Sequence, residues 1–176
     1  MTATLAQGNH VGQRGSVWDK RGLVEAAGKS TLREFLVRFR GYYLVSFQGR
    51  AADPASFRTS KMRIQRPSRN STVEEIRKIA KAPGNPYKDR ISVGRAQNCD
   101  VVIRDPSVSK LHAHFRARPE GFDLTDLESK NHTLVNGERL SPGAAGTVTD
   151  GDILQFGAIE VQLAAAEALY RWLHVP

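Results

Sequence analysis

From Arg90 onward the chain breaks into short apolar runs separated by turn-forming residues, and few folds tolerate that pattern. The runs fall at 91–93, 101–103, 113–118, 122–126, 133–135, 139–140, 147–148, 153–156 and 159–163. Between them stand Asn98, Asp105 with Pro106, Pro119 to Gly121, Asn136 with Gly137, Pro142 with Gly143, and Asp150 with Gly151. Runs this short, closed by residues that favour turns, suit strands and not helices. Asn136 and Gly137 both accept a positive φ, so they mark a two-residue hairpin between 134–135 and 138–139. Many short strands with regular turns predict an all-β fold, a β-sandwich or a barrel.

The first half reads differently. Residues 1–29, rich in Gly and Gln, are expected to form a flexible leader, and residues 30–176 one domain with its core at 42–163. Thr31 and Glu34 fit a capping box, and Leu32, Phe35, Leu36 and Phe39 line one helical face ending near Gly41. A β-type run follows at 42–47, then a loop at 49–60 and a candidate strand at 61–66. Residues 72–80 support two readings. Thr72 and Glu75 can cap a helix, whereas Val73, Ile76 and Ile79 also suit a sheet edge. Residues 83–89 form a turn-rich connector, and the Ala-rich segment 164–173, free of Gly and Pro, predicts a helix on the sandwich.

Composition excludes several classes. The one cysteine, Cys99, allows no disulfide within the chain, which suits a reducing, cytoplasmic setting. The first twenty residues contain no apolar run of signal-peptide length, and no stretch is long enough to cross a membrane. Five histidines and one cysteine show no metal-ligand spacing, so neither a metal nor another cofactor is expected. Residues 1–90 carry 18 Lys and Arg against 7 Asp and Glu, whereas the remainder carries 8 against 11. These cations are scattered with little aromatic interleaving, which argues against nucleic acid and for a solvated face or a surface that docks an acidic partner.

Polar residues suited to an anion sit at the strand breaks. Arg95 follows Gly94 at the end of a run, where its planar donor fork can project from a tight turn. Ser109 offers a hydroxyl, Lys110 a point charge, and Asn131 an amide that both donates and accepts along an extended peptide. Taken singly, each has a plainer reading: a solvated cation, a loop hydroxyl, or an asparagine bonded to its own turn. Their order and spacing carry the specificity.

Gly94 and Arg95, with the Cys99 to Ile103 stretch and Asp105 through Ala113, are followed by Asp126, Ser129, Asn131, Thr133 and the Val135-Asn136-Gly137 turn, then by Asp150-Gly151-Asp152 and Phe156-Gly157. Over residues 91–163 this succession resembles the forkhead-associated (FHA) domain. The resemblance implies a two-sheet antiparallel β-sandwich of the SMAD/FHA type, here with an N-terminal and a C-terminal helix, that binds phosphothreonine peptides through loops at one end. It implies that Arg95 and Ser109 bind phosphate, with Lys110 in support, and that Asn131 holds the peptide main chain. His112 would brace the loop that presents Ser109, Gly94 would shape the turn, and Asn136 would support the loops from the following hairpin. The chain departs from the family pattern at His132, where glycine is usual, and at Lys130, where a hydroxyl is frequent. His132 places a side chain where the turn favours positive φ, and it can also touch the phosphopeptide; Lys130 either meets the phosphate as a charge or points into solvent.

The function implied is non-catalytic phosphothreonine recognition in Ser/Thr-kinase signalling. The partner is a phosphorylated protein or the chain's own threonines at Thr2, Thr4, Thr31 or Thr59, with no membrane involved. The alternative is an interaction module on the same fold that ignores phosphate. An enzyme is disfavoured: Gly22 to Ser30 approximates a phosphate-binding loop but has five residues between its glycines where four are needed. No nucleophile stands beside an oriented base.

Overall fold

The computed structural model describes residues 13–14, 17–47 and 73–174. Two short antiparallel strands, β1 (Gln13–Arg14) and β2 (Val17–Trp18), lead into helices α1 (Lys20–Lys29) and α2 (Leu32–Phe39). The Asp19 carboxylate caps α1 by accepting the backbone N–H groups of Arg21 and Gly22. For residues 20–29 this corrects the expectation of a flexible leader, because Leu23 and Ala27 on α1 are fully buried. It also removes the phosphate-loop reading, since Gly22, Gly28 and Lys29 lie inside a helix. The second helix starts as expected: Thr31 accepts from Glu34 N–H, and the Glu34 carboxylate accepts from Thr31 N–H.

Strands β3 (Tyr42–Phe47) and β4 (Val73–Lys78) follow. Of the two readings of residues 72–80 the strand is observed, because pairing with β2 and β3 satisfies its backbone and prevails over a local cap signal. The expected loop at 49–60 and strand at 61–66 lie outside the described residues. Next come β5 (Ile91–Gly94), β6 (Val101–Val102), β7 (Ala113–Ala117) and β8 (Phe122–Asp126). Then follow β9 (Thr133–Val135), β10 (Glu138–Arg139), β11 (Ala145–Val148), β12 (Ile153–Phe156), β13 (Ile159–Ala165) and helix α3 (Ala166–Leu173). Helix α3 begins two residues later than expected, since Ala164 and Ala165 still pair with Tyr43 and Tyr42.

Two sheets result, ordered β1-β2-β4-β3-β13-β12-β9-β10 and β11-β8-β7-β5-β6. Neighbours pair antiparallel except β5 and β6, which run parallel. The apolar space between the sheets holds Leu44, Val93, Phe115, Leu124, Leu154 and Phe156. Alternation along β3 then builds a second core. Leu44 points between the sheets, while Tyr43, Val45 and Phe47 point the other way, against Phe35, Phe39 and Leu169 of the helices. The larger sheet is thereby covered on both faces. At one end of the sandwich, loops 95–100, 103–112 and 127–132 gather with the tight turn at Gly157.

Candidate functional site

Close packing fixes the first loop. A Cβ on Gly94 would stand 2.3 Å from the Lys110 carbonyl oxygen, so only glycine lets β5 approach the loop that carries Ser109. Beyond it, Arg95 N–H donates to Ser109 O at 2.9 Å and Ala96 N–H to Lys110 O at 3.0 Å. The exposed Arg95 side chain is aimed by its Nε, which donates to Val108 O at 3.1 Å. Its terminal nitrogens remain for an outside acceptor, with no carboxylate paired to Arg95 among the described residues.

Ser109 and Asn131 are tied to each other's loops. Lys130 N–H donates to Ser109 Oγ at 3.1 Å, which occupies a lone pair and leaves the hydroxyl hydrogen for another acceptor. Asn131 Nδ2 donates to Ser107 O at 2.7 Å, so its Oδ1 is the free end, suited to accept an N–H from an extended peptide. Lys110 and Lys130 are exposed beside them. The structure thus brings Arg95, Ser109, Lys110, Lys130 and Asn131 to one end of the sandwich.

His112 is fully buried and holds the two loops from beneath. Its Nδ1 accepts from Ser109 N–H at 3.0 Å, which places the ring proton on Nε2, 3.1 Å from His132 O. Burial pushes its pKa below the ordinary histidine value, against the opposing pull of His132 O and Asp126. The ring is therefore a neutral brace. His132 adopts φ +62°, the left-handed conformation in which glycine is easier, and its carbonyl also receives Gly157 N–H at 3.1 Å. Asn136, at φ +51°, bonds Asp152 through Nδ2 and accepts Ile153 N–H through Oδ1, joining the hairpin to the next loop.

Two acids and a serine outside the expected set complete the scaffold. Asp126 is buried and accepts from Ser129 N–H, Ser129 Oγ and Thr133 Oγ1, which sets the curve of the 127–132 loop. Burial pushes its carboxyl up, but the hydrogen bonds from Thr133 and Ser129 and the nearby His112 outweigh this and hold it below the usual value. Its spacing to Ser129 and Thr133 was the available signal: an acceptor followed by two hydroxyls. Ser107 bridges Asp105, Ala158 N–H and Asn131. Asp100, also buried, gathers Ala82 N–H, Asn85 Nδ2, Ser92 and Lys81.

A sandwich whose loops collect an arginine, a serine and an asparagine at one end belongs to the class of loop-presenting recognition folds. Residues 91–157 match the family described as the FHA domain, and the chain contains that domain. Among curated relatives, an ABC transporter ATP-binding/permease protein of Mycobacterium tuberculosis is 32% identical over 106 residues, covering 60% of this chain and 10% of the transporter. The oxoglutarate dehydrogenase inhibitor of Corynebacterium glutamicum is 34% identical over 77 residues, covering 44% of this chain and 52% of the inhibitor. The chain therefore spans a tenth of one and about half of the other. A solved second FHA domain from an M. tuberculosis ABC transporter is 31% identical, covers 61% of this chain and 90% of its own, and superposes with a TM-score of 0.38.

Proposed function

We propose that this protein is a non-catalytic module that binds a phosphothreonine-containing segment of a partner protein, downstream of a Ser/Thr kinase. The observation that carries the reading is the cross-linking of three loops. Arg95 N–H meets Ser109 O, Lys130 N–H meets Ser109 Oγ, and Asn131 Nδ2 meets Ser107 O. Preorganised in this way, the Arg95 fork and the Ser109 hydroxyl take phosphate oxygens, Lys110 and Lys130 add charge, and Asn131 Oδ1 takes a main-chain N–H. A phosphothreonine brings nearly two negative charges and three acceptor oxygens. A pocket enclosing its γ-methyl would favour it over phosphoserine by about 0.8 kcal/mol, roughly fourfold.

His112, Gly94 and Asn136 act in this reading through the loops and not on the ligand. The folding unit runs from Trp18 to His174, because β3 and β13 contribute to both apolar cores. The buried, unpaired Cys99 fits a cytoplasmic setting. Similarity to an oxoglutarate dehydrogenase inhibitor supports a regulatory partner. Of the threonines in the chain that a kinase could supply as ligands, Thr31 is already occupied as the cap of α2.

A phosphopeptide library screen followed by calorimetry tests the proposal. The selected peptide, phosphorylated and unphosphorylated, is titrated into wild type and Arg95→Ala. Phosphate-dependent binding that Arg95→Ala weakens by about 1.5–3 kcal/mol is expected. Equal affinity for both peptide forms would indicate a phosphate-independent interaction module instead.

A further inference from the structure

A second surface adjoins the phosphate loops. On the outer face of β5 and β7 lies a groove of about 870 Å³ whose walls include Tyr87, Asn98, Lys110, Leu111, His114 and Leu127. One wall is rigidly built. The buried Asp100 carboxylate accepts Ala82 N–H at 2.8 Å and Asn85 Nδ2 at 2.8 Å, and Asn85 Oδ1 in turn accepts Tyr87 N–H at 3.1 Å. The other wall is the Lys110-Leu111 step, continuous with Ser109.

Three observations indicate what this groove receives. Tyr87 and Leu111, 66% and 51% exposed, are two of the four large apolar side chains left exposed among the described residues, and both flank it. The Nδ1 of His114 on its floor is buried without a hydrogen-bond partner among the described residues, so a donor or acceptor is missing there. Its charges are one-sided: Arg90 and Lys110 line it, no carboxylate faces it openly, and the neighbouring Asp89 is shared between Arg90 and Arg116. Apolar flanks and a cationic rim around a floor with an unmet hydrogen-bonding group complement an apolar and acidic strand of peptide.

We infer that this groove takes a second, apolar and acidic stretch of the same partner chain whose phosphothreonine docks at Arg95 and Ser109. The inference rests on the phosphothreonine reading above. Lys110 belongs to both surfaces, so a single extended segment can run from one to the other without a break.

Three synthetic peptides test it: a phosphothreonine flanked by alanines, and the same peptide extended by a Glu-Leu-Glu-Leu arm on its N-terminal or its C-terminal side. Titrated into the full chain, one arm is expected to tighten binding about tenfold. Leu111→Ser and Tyr87→Ser, both at exposed positions and both neutral, should abolish that gain and leave the short peptide's affinity unchanged. A short peptide that binds only when phosphorylated, combined with arms that add nothing or whose gain survives both substitutions, overturns the groove and leaves the phosphothreonine reading intact. Arms that bind in a Leu111-dependent way regardless of threonine phosphorylation overturn the phosphothreonine reading, and with it the coupling of the two surfaces.

Discussion

The Nε2 of His112 lies 3.1 Å from the carbonyl oxygen of His132, twenty positions along the chain, while its Nδ1 receives Ser109 N–H. One buried ring therefore sets the separation between the loop that carries Ser109 and the loop that carries Asn131. Replacing it by phenylalanine keeps the bulk but strands Ser109 N–H and His132 O without a partner. His112→Phe should lower unfolding free energy by on the order of 2–4 kcal/mol, read as a lower urea midpoint at unchanged slope. An unchanged midpoint would show that the loops hold each other without the ring.

The same ring makes stability depend on pH. Burial depresses the folded-state pKa of His112, and burial with Arg90 and Arg116 does so for His114. A depressed histidine contributes stability that is fully present above its unfolded value near 6.5 and is lost as pH falls through the folded value, because the unfolded chain takes the proton first. Unfolding free energy should thus decline between pH 7 and pH 5, by up to about 1.4 kcal/mol per pH unit for each proton involved. Asp126, with its carboxyl held low, adds a further loss at more acid pH, as its protonation breaks the bonds from Ser129 and Thr133. Urea titrations across this range check the sign; stability that rises toward pH 5 would contradict it.

At His132 the side chain occupies a backbone conformation, φ +62°, that costs an L-residue about 1–2 kcal/mol. Glycine removes that strain but loses more conformational freedom on folding, by roughly 0.5–1 kcal/mol. His132→Gly should therefore be neutral to about 1.5 kcal/mol stabilising, and His132→Val destabilising, because a β-branched side chain tolerates this left-handed conformation less well than the histidine already there. The carbonyl that His112 grips is unchanged in both, so phosphopeptide affinity should follow stability only weakly in His132→Gly. A large loss of affinity there would assign the imidazole a direct ligand contact.

What could be read from the sequence follows from how local each signal is. The strands after Arg90 were legible because turns and short apolar runs are written into neighbouring residues, as at Asn136 and Gly137. That Arg95, Ser109, Lys110, Lys130 and Asn131 share one end of the sandwich was legible through their spacing, and the left-handed backbone of His132 matches the glycine usual there. Helix α1 was not, because its buried face consists of only Leu23 and Ala27, small against the flanking Gly and charged residues. Nor was the strand choice at 73–78, which depends on pairing with residues about thirty positions away. The role of Asp126 was missed because a carboxylate at the end of a strand reads as solvated until its three donors are seen converging on it.

Gly94 offers the sharpest separation between scaffold and ligand contact. Its absent side chain would place a carbon 2.3 Å from Lys110 O and 3.0 Å from Cys99 Sγ, and the first of these neighbours is backbone. Gly94→Ala must push the 109–112 loop outward, straining the bonds from Arg95 N–H to Ser109 O and from His112 N–H to Val93 O. A loss of about 1–3 kcal/mol in stability is expected from such overpacking. Because Arg95 and Ser109 ride on the displaced segments, phosphopeptide affinity should fall even under conditions where the variant is fully folded. The check is a paired measurement, urea unfolding for the scaffold and calorimetry on the folded variant for the site. Affinity equal to wild type in a destabilised Gly94→Ala would mean that the two loops move together and keep their spacing.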